Sequence, residues 1–176
     1  MRKGKMHKPW KLLLIVGVVV AAAVAPARAG ASSTYSDTLS CYEYWASSTD
    51  GRFAGTASGS LPGSWNADVQ HTALCLSCST TATITGGTFS LSTVIHYVPA
   101  LVIGRFSGGT VQVVNPGANC TNQTFAVNGI LANVGTWWSG SGSGTFAVTL
   151  IHYRHYIFGS CITYGASVRG ALSVNL

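Results

Sequence analysis

The stretch that decides the fold runs from Gly144 to Tyr153 and reads Gly-Thr-Phe-Ala-Val-Thr-Leu-Ile-His-Tyr. Phe146, Val148 and Leu150 alternate with other residues, so they share one face of an extended chain. A period of two is typical of a strand that has one face in a core and the other in solvent. By the same alternation, His152 is expected on the face of Leu150.

A similar stretch occurs earlier in the chain, from Gly87 to Tyr97, with one additional residue. Further matches lie upstream of both stretches, where Phe53 precedes Trp65 by the same spacing as Phe125 precedes Trp137. We interpret them as an internal two-unit repeat that covers residues 53–109 and 125–170, with chance similarity between glycine- and threonine-rich strands as the alternative. The repeat makes three pairs of positions equivalent: Phe53 with Phe125, Trp65 with Trp137, and His96 with His152.

The rest of the chain carries the same signal. Alternating segments occur at Thr110–Val114, Phe125–Ala132, Tyr156–Tyr164 and Ala166–Val174. Glycine-containing breaks fall at 86–87, 108–109, 115–117 and 139–144, which is turn chemistry. After the N-terminal segment no sustained period of 3.6 is present. The sequence therefore predicts an all-β domain, an antiparallel barrel or sandwich of about eight to ten strands.

The N-terminal segment has the features of a secretory signal peptide. A basic region, Met1–Lys11, precedes an uncharged apolar run, Leu12–Ala25, and Ala27-Arg28-Ala29 offers small residues for cleavage before Gly30. A run of this length is short for spanning a bilayer core of about 30 Å, although an uncleaved anchor is the alternative. We predict a signal peptide over residues 1–29 and a single secreted domain over residues 30–176.

Charge excludes two classes of partner. Six of the ten Lys and Arg residues lie before Gly30, which leaves four arginines against four acids and no lysine. Nucleic acids and anionic membrane surfaces require clustered cations, so neither is an expected partner. No apolar run long enough to span a membrane follows Gly30. No motif for a cofactor is present.

The five cysteines are expected to form disulfides outside the cell. Cys120 and Cys161 belong to the second repeat unit and have no counterparts in the first, so we predict a Cys120–Cys161 bridge. Cys41 then pairs with Cys75 or Cys78, and one thiol remains. A Cys75–Cys78 bridge is the competing interpretation, and it requires a tight turn.

Three constellations carry candidate chemistry. His96 and His152, each followed by a tyrosine (Tyr97 and Tyr153), could serve as bases or metal ligands, or they close hydrogen bonds at the ends of strands. His71, Cys75 and Cys78 have the spacing of three zinc ligands but lack an evident fourth. The four acids, Asp37, Glu43, Asp50 and Asp68, do not show a spacing that singles out a catalytic pair.

Aromatic residues favour recognition over catalysis. Tyr42, Tyr44 and Trp45 cluster near the start of the mature chain. Trp137 and Trp138 are adjacent on a strand and must face opposite ways, so Trp138 is the candidate for a surface platform. We expect a secreted, non-enzymatic β-domain that binds a neutral glycan, a small apolar ligand or a cell-envelope partner. The alternative is a secreted enzyme or metal-binding protein that uses His96 and His152.

Overall fold

The computed structural model describes residues 32–74, 81–136 and 142–176, which form a closed antiparallel barrel. Each strand is hydrogen-bonded to the next along the chain, and the last strand pairs with the first. A short 3₁₀ helix, Ala118–Cys120, lies between the fifth and sixth strands. The eight strands are β1 (Thr34–Ala46), β2 (Asp50–Gly59), β3 (Gly63–His71), β4 (Thr81–Ile95), β5 (Val98–Asn115), β6 (Gln123–Gly135), β7 (Gly142–Ile157) and β8 (Ser160–Asn175). The predicted all-β class is confirmed, and the barrel is the correct one of the two architectures.

The barrel has two ends that are reached by alternate connections, because consecutive strands run in opposite directions. We call one the disulfide end; it carries the turn at Ser47–Thr49, the 3₁₀ helix and the turn at Phe158–Gly159. The other is the tryptophan end. It carries the connection at Ser60–Pro62, the turn at His96–Tyr97 and the start of β1 beside the end of β8.

Buried apolar side chains from every strand fill the barrel interior. Trp65, from β3, is 1% exposed and stacks on Phe146 of β7, with ring centroids 5.6 Å apart. Phe106 meets the same phenylalanine edge-on at 5.6 Å. Phe146, Val148 and Leu150 are all buried, as their alternation predicts. Each such side chain contributes about 1.5–3 kcal/mol through removal of apolar area from water.

The expected breaks at residues 86–87 and 108–109 are wrong, since both glycine pairs lie inside long strands, β4 and β5. Gly87 has φ 118° and Gly109 has φ 129°. A Cβ atom at Gly87 would collide with the carbonyl oxygen of Asp68, and one at Gly109 with that of Asn128. These glycines permit close approach of neighbouring strands where the barrel coils, and they do not mark turns.

The predicted strand Tyr156–Tyr164 is also interrupted. Phe158 and Gly159 form a two-residue turn between β7 and β8, with φ of 48° and 80°. Positive φ is common at the centre of two-residue hairpins because that conformation matches the strand twist. A bulky residue in this region is unusual, so the sequence signalled only the glycine.

The structure does not support the expected equivalence of His96 and His152. His96 lies in the exposed turn after β4 at the tryptophan end, whereas His152 lies within β7 near the disulfide end. β4 ends at Ile95, immediately before His96, whereas β7 continues beyond His152 to Ile157. The equivalence is therefore wrong. Trp137 lies outside the described residues, so the common origin of the two units stays a prediction.

The predicted Cys120–Cys161 disulfide is present. It joins the 3₁₀ helix to the start of β8, with Cα atoms 5.6 Å apart and a sequence separation of 41. The predicted pairing of Cys41 with the cysteines after β3 is wrong, because Cys41 is a free thiol buried inside the barrel on β1. Cys75 and Cys78 lie outside the described residues.

The N-terminal segment, including the predicted signal peptide, also lies outside the part of the chain that the structure describes. Among the residues it does describe, no helix has both the length and the apolar character needed to cross a membrane. Secretion therefore stays a prediction, and the disulfide is compatible with it.

Candidate functional site

Two polar residues occupy inward positions at the disulfide end. On β1, Glu43 follows Leu39 and Cys41 at intervals of two, and both of these are buried. On β7, His152 follows Leu150 in the same way. Because alternate residues of a strand face the same side, the two apolar rows bring the carboxylate and the imidazole into the barrel.

Glu43 and His152 form a short hydrogen bond. Nε2 of His152 is 2.7 Å from Oε2 of Glu43, and their side chains are 19% and 7% exposed, respectively. The ring of Phe125 packs edge-on against the imidazole, with centroids 5.1 Å apart. With a protonated imidazole the contact is an ion pair, and with a neutral one Nε2–H donates to the carboxylate. Either form is stronger here than in open solvent, since few water molecules compete.

The pair lines a cavity of about 200 Å³, which we call the end cavity. Its walls combine apolar side chains with a few polar groups, which is the usual composition of a ligand site. The apolar walls are Leu74, Val111, Phe125 and Leu150, and the main polar groups are Glu43, Asp50, His71, Gln123 and His152. An engineered cavity of about 150 Å³ holds benzene, so this one has room for a single ring.

A fixed turn covers the end cavity. Ser47 Oγ accepts the backbone N–H groups of Thr49 and Asp50, and Thr49 Oγ1 donates to the Asp50 carboxylate at 2.8 Å. The backbone N–H of His71 donates to the carbonyl of Thr49, which ties this turn to the end of β3. The Asp50 carboxylate is therefore already hydrogen-bonded to side chains of its own turn.

His71 lines the same cavity with a defined tautomer. Its Nδ1 is 2.8 Å from the carbonyl oxygen of Thr72. A carbonyl only accepts, so Nδ1 carries the proton and Nε2 is the acceptor nitrogen of the neutral ring. Of the three candidate zinc ligands, His71 is described, whereas Cys75 and Cys78 lie outside the described residues. Within the described ranges, no group of three His, Cys, Asp or Glu residues is arranged to hold a metal ion.

The barrel wall opens beside this cavity. Pairing of β1 with β8 ends at Cys41 and Val168, and beyond that point Glu43–Ala46 and Thr163–Ala166 border a second cavity of about 200 Å³, the seam cleft. Glu43 and Ala46 line both the seam cleft and the end cavity. The carboxylate thus stands between the interior and an opening in the wall.

The predicted aromatic residues lie beside this opening. Tyr44 and Trp45 line the seam cleft together with Tyr164 of β8. Tyr42 is exposed on the same strand, and its ring is 6.4 Å from that of Tyr44. The structure therefore groups the three N-terminal aromatic residues near the Glu43–His152 pair, whereas Trp138 lies outside the described residues.

The other predicted catalytic residues are elsewhere. His96 and Tyr97 form the exposed turn at the tryptophan end. Tyr153 lies next to His152 but faces outward, where its hydroxyl is 2.8 Å from Ser167 Oγ. A site that uses His96 and His152 together is therefore not assembled. The partner of His152 is Glu43, which the sequence did not single out from the four acids.

Cys41, which lies two residues before Glu43 on β1, is not an activated nucleophile. Burial raises the pKa of Cys41 from 9.0 to about 11, and a backbone hydrogen bond from Thr56 lowers it in part. Thiolate is the reactive form, so Cys41 is a neutral wall residue at physiological pH. No protein-family model, curated protein or solved structure matches this chain.

Proposed function

We propose that the protein is a secreted, non-enzymatic β-barrel that binds one small neutral ligand in the end cavity. The observation that carries the proposal is the Glu43–His152 pair lining a cavity inside a barrel with a packed core. A buried polar pair is often no more stabilising than apolar residues of similar volume. Its presence among apolar walls is therefore better explained by recognition than by stability.

The charges at the site favour a neutral ligand. The Glu43 carboxylate is hydrogen-bonded to His152, and the Asp50 carboxylate to Thr49. An anion would be placed close to these two carboxylates, and a cation would have to compete with their existing partners. A neutral molecule with one hydrogen-bonding group and a flat apolar body avoids both costs, since its body contacts Phe125 and Leu150.

The cavity volume limits the ligand to about one ring. Sites for drug-sized ligands measure about 300–1,000 Å³, and the end cavity measures about 200 Å³. A monocyclic phenol or a single sugar ring fits this volume. The seam cleft, bordered by Tyr44 and Trp45, supplies the access route to Glu43.

The test is binding of neutral single-ring compounds to the full secreted chain, measured by ligand-observed NMR. Val111→Trp fills the cavity from β5 and is expected to abolish binding. Val114→Trp adds the same volume on the exposed face of that strand and serves as the matched control. Equal binding by both variants would place the ligand elsewhere and refute the proposal.

A proton-transfer enzyme is the second candidate, favoured by the 2.7 Å contact between Glu43 and His152. A carboxylate that orients an imidazole is the arrangement used for general base catalysis. If this candidate holds, His152→Gln reduces turnover of a small neutral ester about 100-fold or more while ring binding persists. Absence of turnover by the wild-type chain would leave the binding function alone.

A further inference from the structure

A continuous row of functional side chains crosses the outer wall of the barrel, away from the end cavity. Register places five outward residues side by side on β1 to β5: Trp45 opposite Arg52, Arg52 opposite Asp68, Asp68 opposite Thr88, and Thr88 opposite Arg105. Adjacent strands are about 4.8 Å apart, so the row spans about 19 Å along the wall. We call it the outer row.

The first half of the outer row is held in place by its own contacts. The Arg52 guanidinium lies 4.7 Å from the ring centroid of Trp45, and its Nε is 3.3 Å from Asp68 Oδ2. An arginine held between an aromatic face and a carboxylate loses less freedom when it binds a ligand, because its orientation is already set.

Two groups in the row, one carboxylate oxygen and one guanidinium, have no protein partner among the described residues. Asp68 Oδ1 is buried and has no hydrogen-bond partner among the described residues. Arg105 is exposed, and the structure records no ion pair for it within the ranges that it describes. A carboxylate oxygen without a donor is costly, and the Asp68 side chain as a whole is 35% exposed, so the carboxylate remains accessible to a hydroxyl group brought by a ligand.

The wall is concave at this place. A groove of about 770 Å³ is lined by Arg52, Asp68, Thr88 and Arg105 of the row, together with Tyr44. On the β6 side the groove ends at an irregularity, where the pairing of β5 shifts between Ile103 and Arg105 and Asn133 adopts φ 53°. Bulges of this kind are frequent beside binding sites.

We propose that the outer row binds an acidic oligosaccharide built from uronic acid rings. The carboxylate of one ring pairs with Arg105, for which the planar guanidinium provides two parallel donors. A ring hydroxyl donates to the exposed part of the Asp68 carboxylate. The C–H face of a neighbouring ring packs on Tyr44, the tyrosine that lines the groove.

Charge complementarity favours this ligand over its alternatives. Two of the four arginines of the described chain lie in the groove with a single acid, so the groove is positive on a barrel without net charge. A neutral glycan leaves Arg105 without a partner. An acidic peptide satisfies the arginine but supplies neither the ring faces nor the dense hydroxyl groups that Asp68 and Thr88 match.

The test is calorimetric titration of the full secreted chain with a tetramer of galacturonic acid at low salt. Arg105→Gln is expected to weaken binding at least tenfold. Arg169→Gln removes another exposed, outward arginine, which lies on β8 opposite Ser40 and does not line the groove, and is expected to change affinity less than twofold. A neutral galactose tetramer is expected to bind at least tenfold more weakly than the acid.

Several results would overturn this proposal. They are absence of binding by the acidic tetramer, equal loss in the two arginine variants, equal binding of the neutral tetramer, and displacement of the tetramer by a polyglutamate peptide of the same charge. Val111→Trp, which blocks only the end cavity, is expected to leave tetramer binding unchanged. The two proposed sites can therefore fail independently.

Discussion

Inward-facing positions carry different kinds of side chain at the two ends of the barrel. At the tryptophan end, Leu61 and Trp65 are each 1% exposed and close the interior with apolar volume. Asp37 also faces inward there, and its Oδ1 accepts a hydrogen bond from the backbone N–H of Leu61. This bond holds Leu61 in place at the end of the barrel. At the disulfide end, Glu43 and His152 take inward positions beside an open cavity.

The difference shows where the fold is stabilised and where it is available for binding. Dense apolar packing at the tryptophan end specifies the barrel, and a similar inward alternation at the disulfide end holds polar groups in a defined place. Binding sites are often less stable than their scaffold because polar groups replace core side chains.

The largest effect is expected at the tryptophan end. Trp65→Ala removes the largest fully buried side chain and its stack on Phe146, so the free energy of unfolding should fall by about 3–5 kcal/mol in urea denaturation. Trp45→Ala is the control, because Trp45 is 44% exposed and should cost less than about 1 kcal/mol. Similar losses of stability in both variants would contradict the claim that packing at the tryptophan end stabilises the fold.

The disulfide is the next largest contribution. Replacing Cys120 and Cys161 together by serine opens a loop of 41 residues and should lower the free energy of unfolding by about 3–4 kcal/mol, mainly because the unfolded chain gains freedom. The free energy of unfolding of this variant should no longer depend on reduction of the bridge, because neither position carries a thiol. A loss below about 1 kcal/mol would mean that the 3₁₀ helix and β8 are held together by other contacts.

A smaller effect is expected for the pair itself. In a double-mutant cycle with Glu43→Gln and His152→Gln, the coupling energy for unfolding should be about 1.5–3 kcal/mol, the range of hydrogen bonds to charged groups. The same cycle for Tyr153→Phe and Ser167→Ala, an outward hydrogen bond next to it, should give a smaller value. Zero coupling for the inward pair would contradict the geometry of the site.

The smallest effect concerns Cys41 and pH. Its pKa rises from 9.0 to about 11 on folding because the thiol is buried. The folded chain therefore binds this proton more tightly than the unfolded chain, so its contribution is present below pH 9 and is lost as pH rises through 11. Peptide-resolved alkylation should find Cys41 unmodified at pH 8 in the folded protein and modified in urea. Rapid modification of the folded protein would show that the interior at β1 is open.

The fold was largely predictable because alternation with a period of two is a local property. The residues Phe146, Val148 and Leu150 determine one strand by themselves, and similar runs determine the others. The errors came from glycine, since Gly87 and Gly109 permit close strand approach and the sequence does not distinguish this role from a turn. The expected equivalence of His96 and His152 had another origin, since it followed from the similarity of two sequence stretches, which does not show where each strand ends.

The site was only partly predictable. Alternation places His152 inward, and Leu39 and Cys41 place Glu43 inward by the same rule. Their contact joins residues 109 positions apart, and it depends on barrel closure between β1 and β8, which no local pattern shows. The aromatic cluster of Tyr42, Tyr44 and Trp45 was recognised by composition, but its position beside the seam cleft follows from the same closure.

The most direct test of the central claim replaces the polar pair by apolar residues of similar size, Glu43→Leu with His152→Phe. If the pair exists for recognition, the variant should unfold at the same or a higher urea concentration than the wild type, because both burial costs are removed. It should also bind neutral single-ring compounds at least tenfold more weakly in ligand-observed NMR. A variant that is clearly destabilised and binds these compounds as well as the wild type would contradict the account.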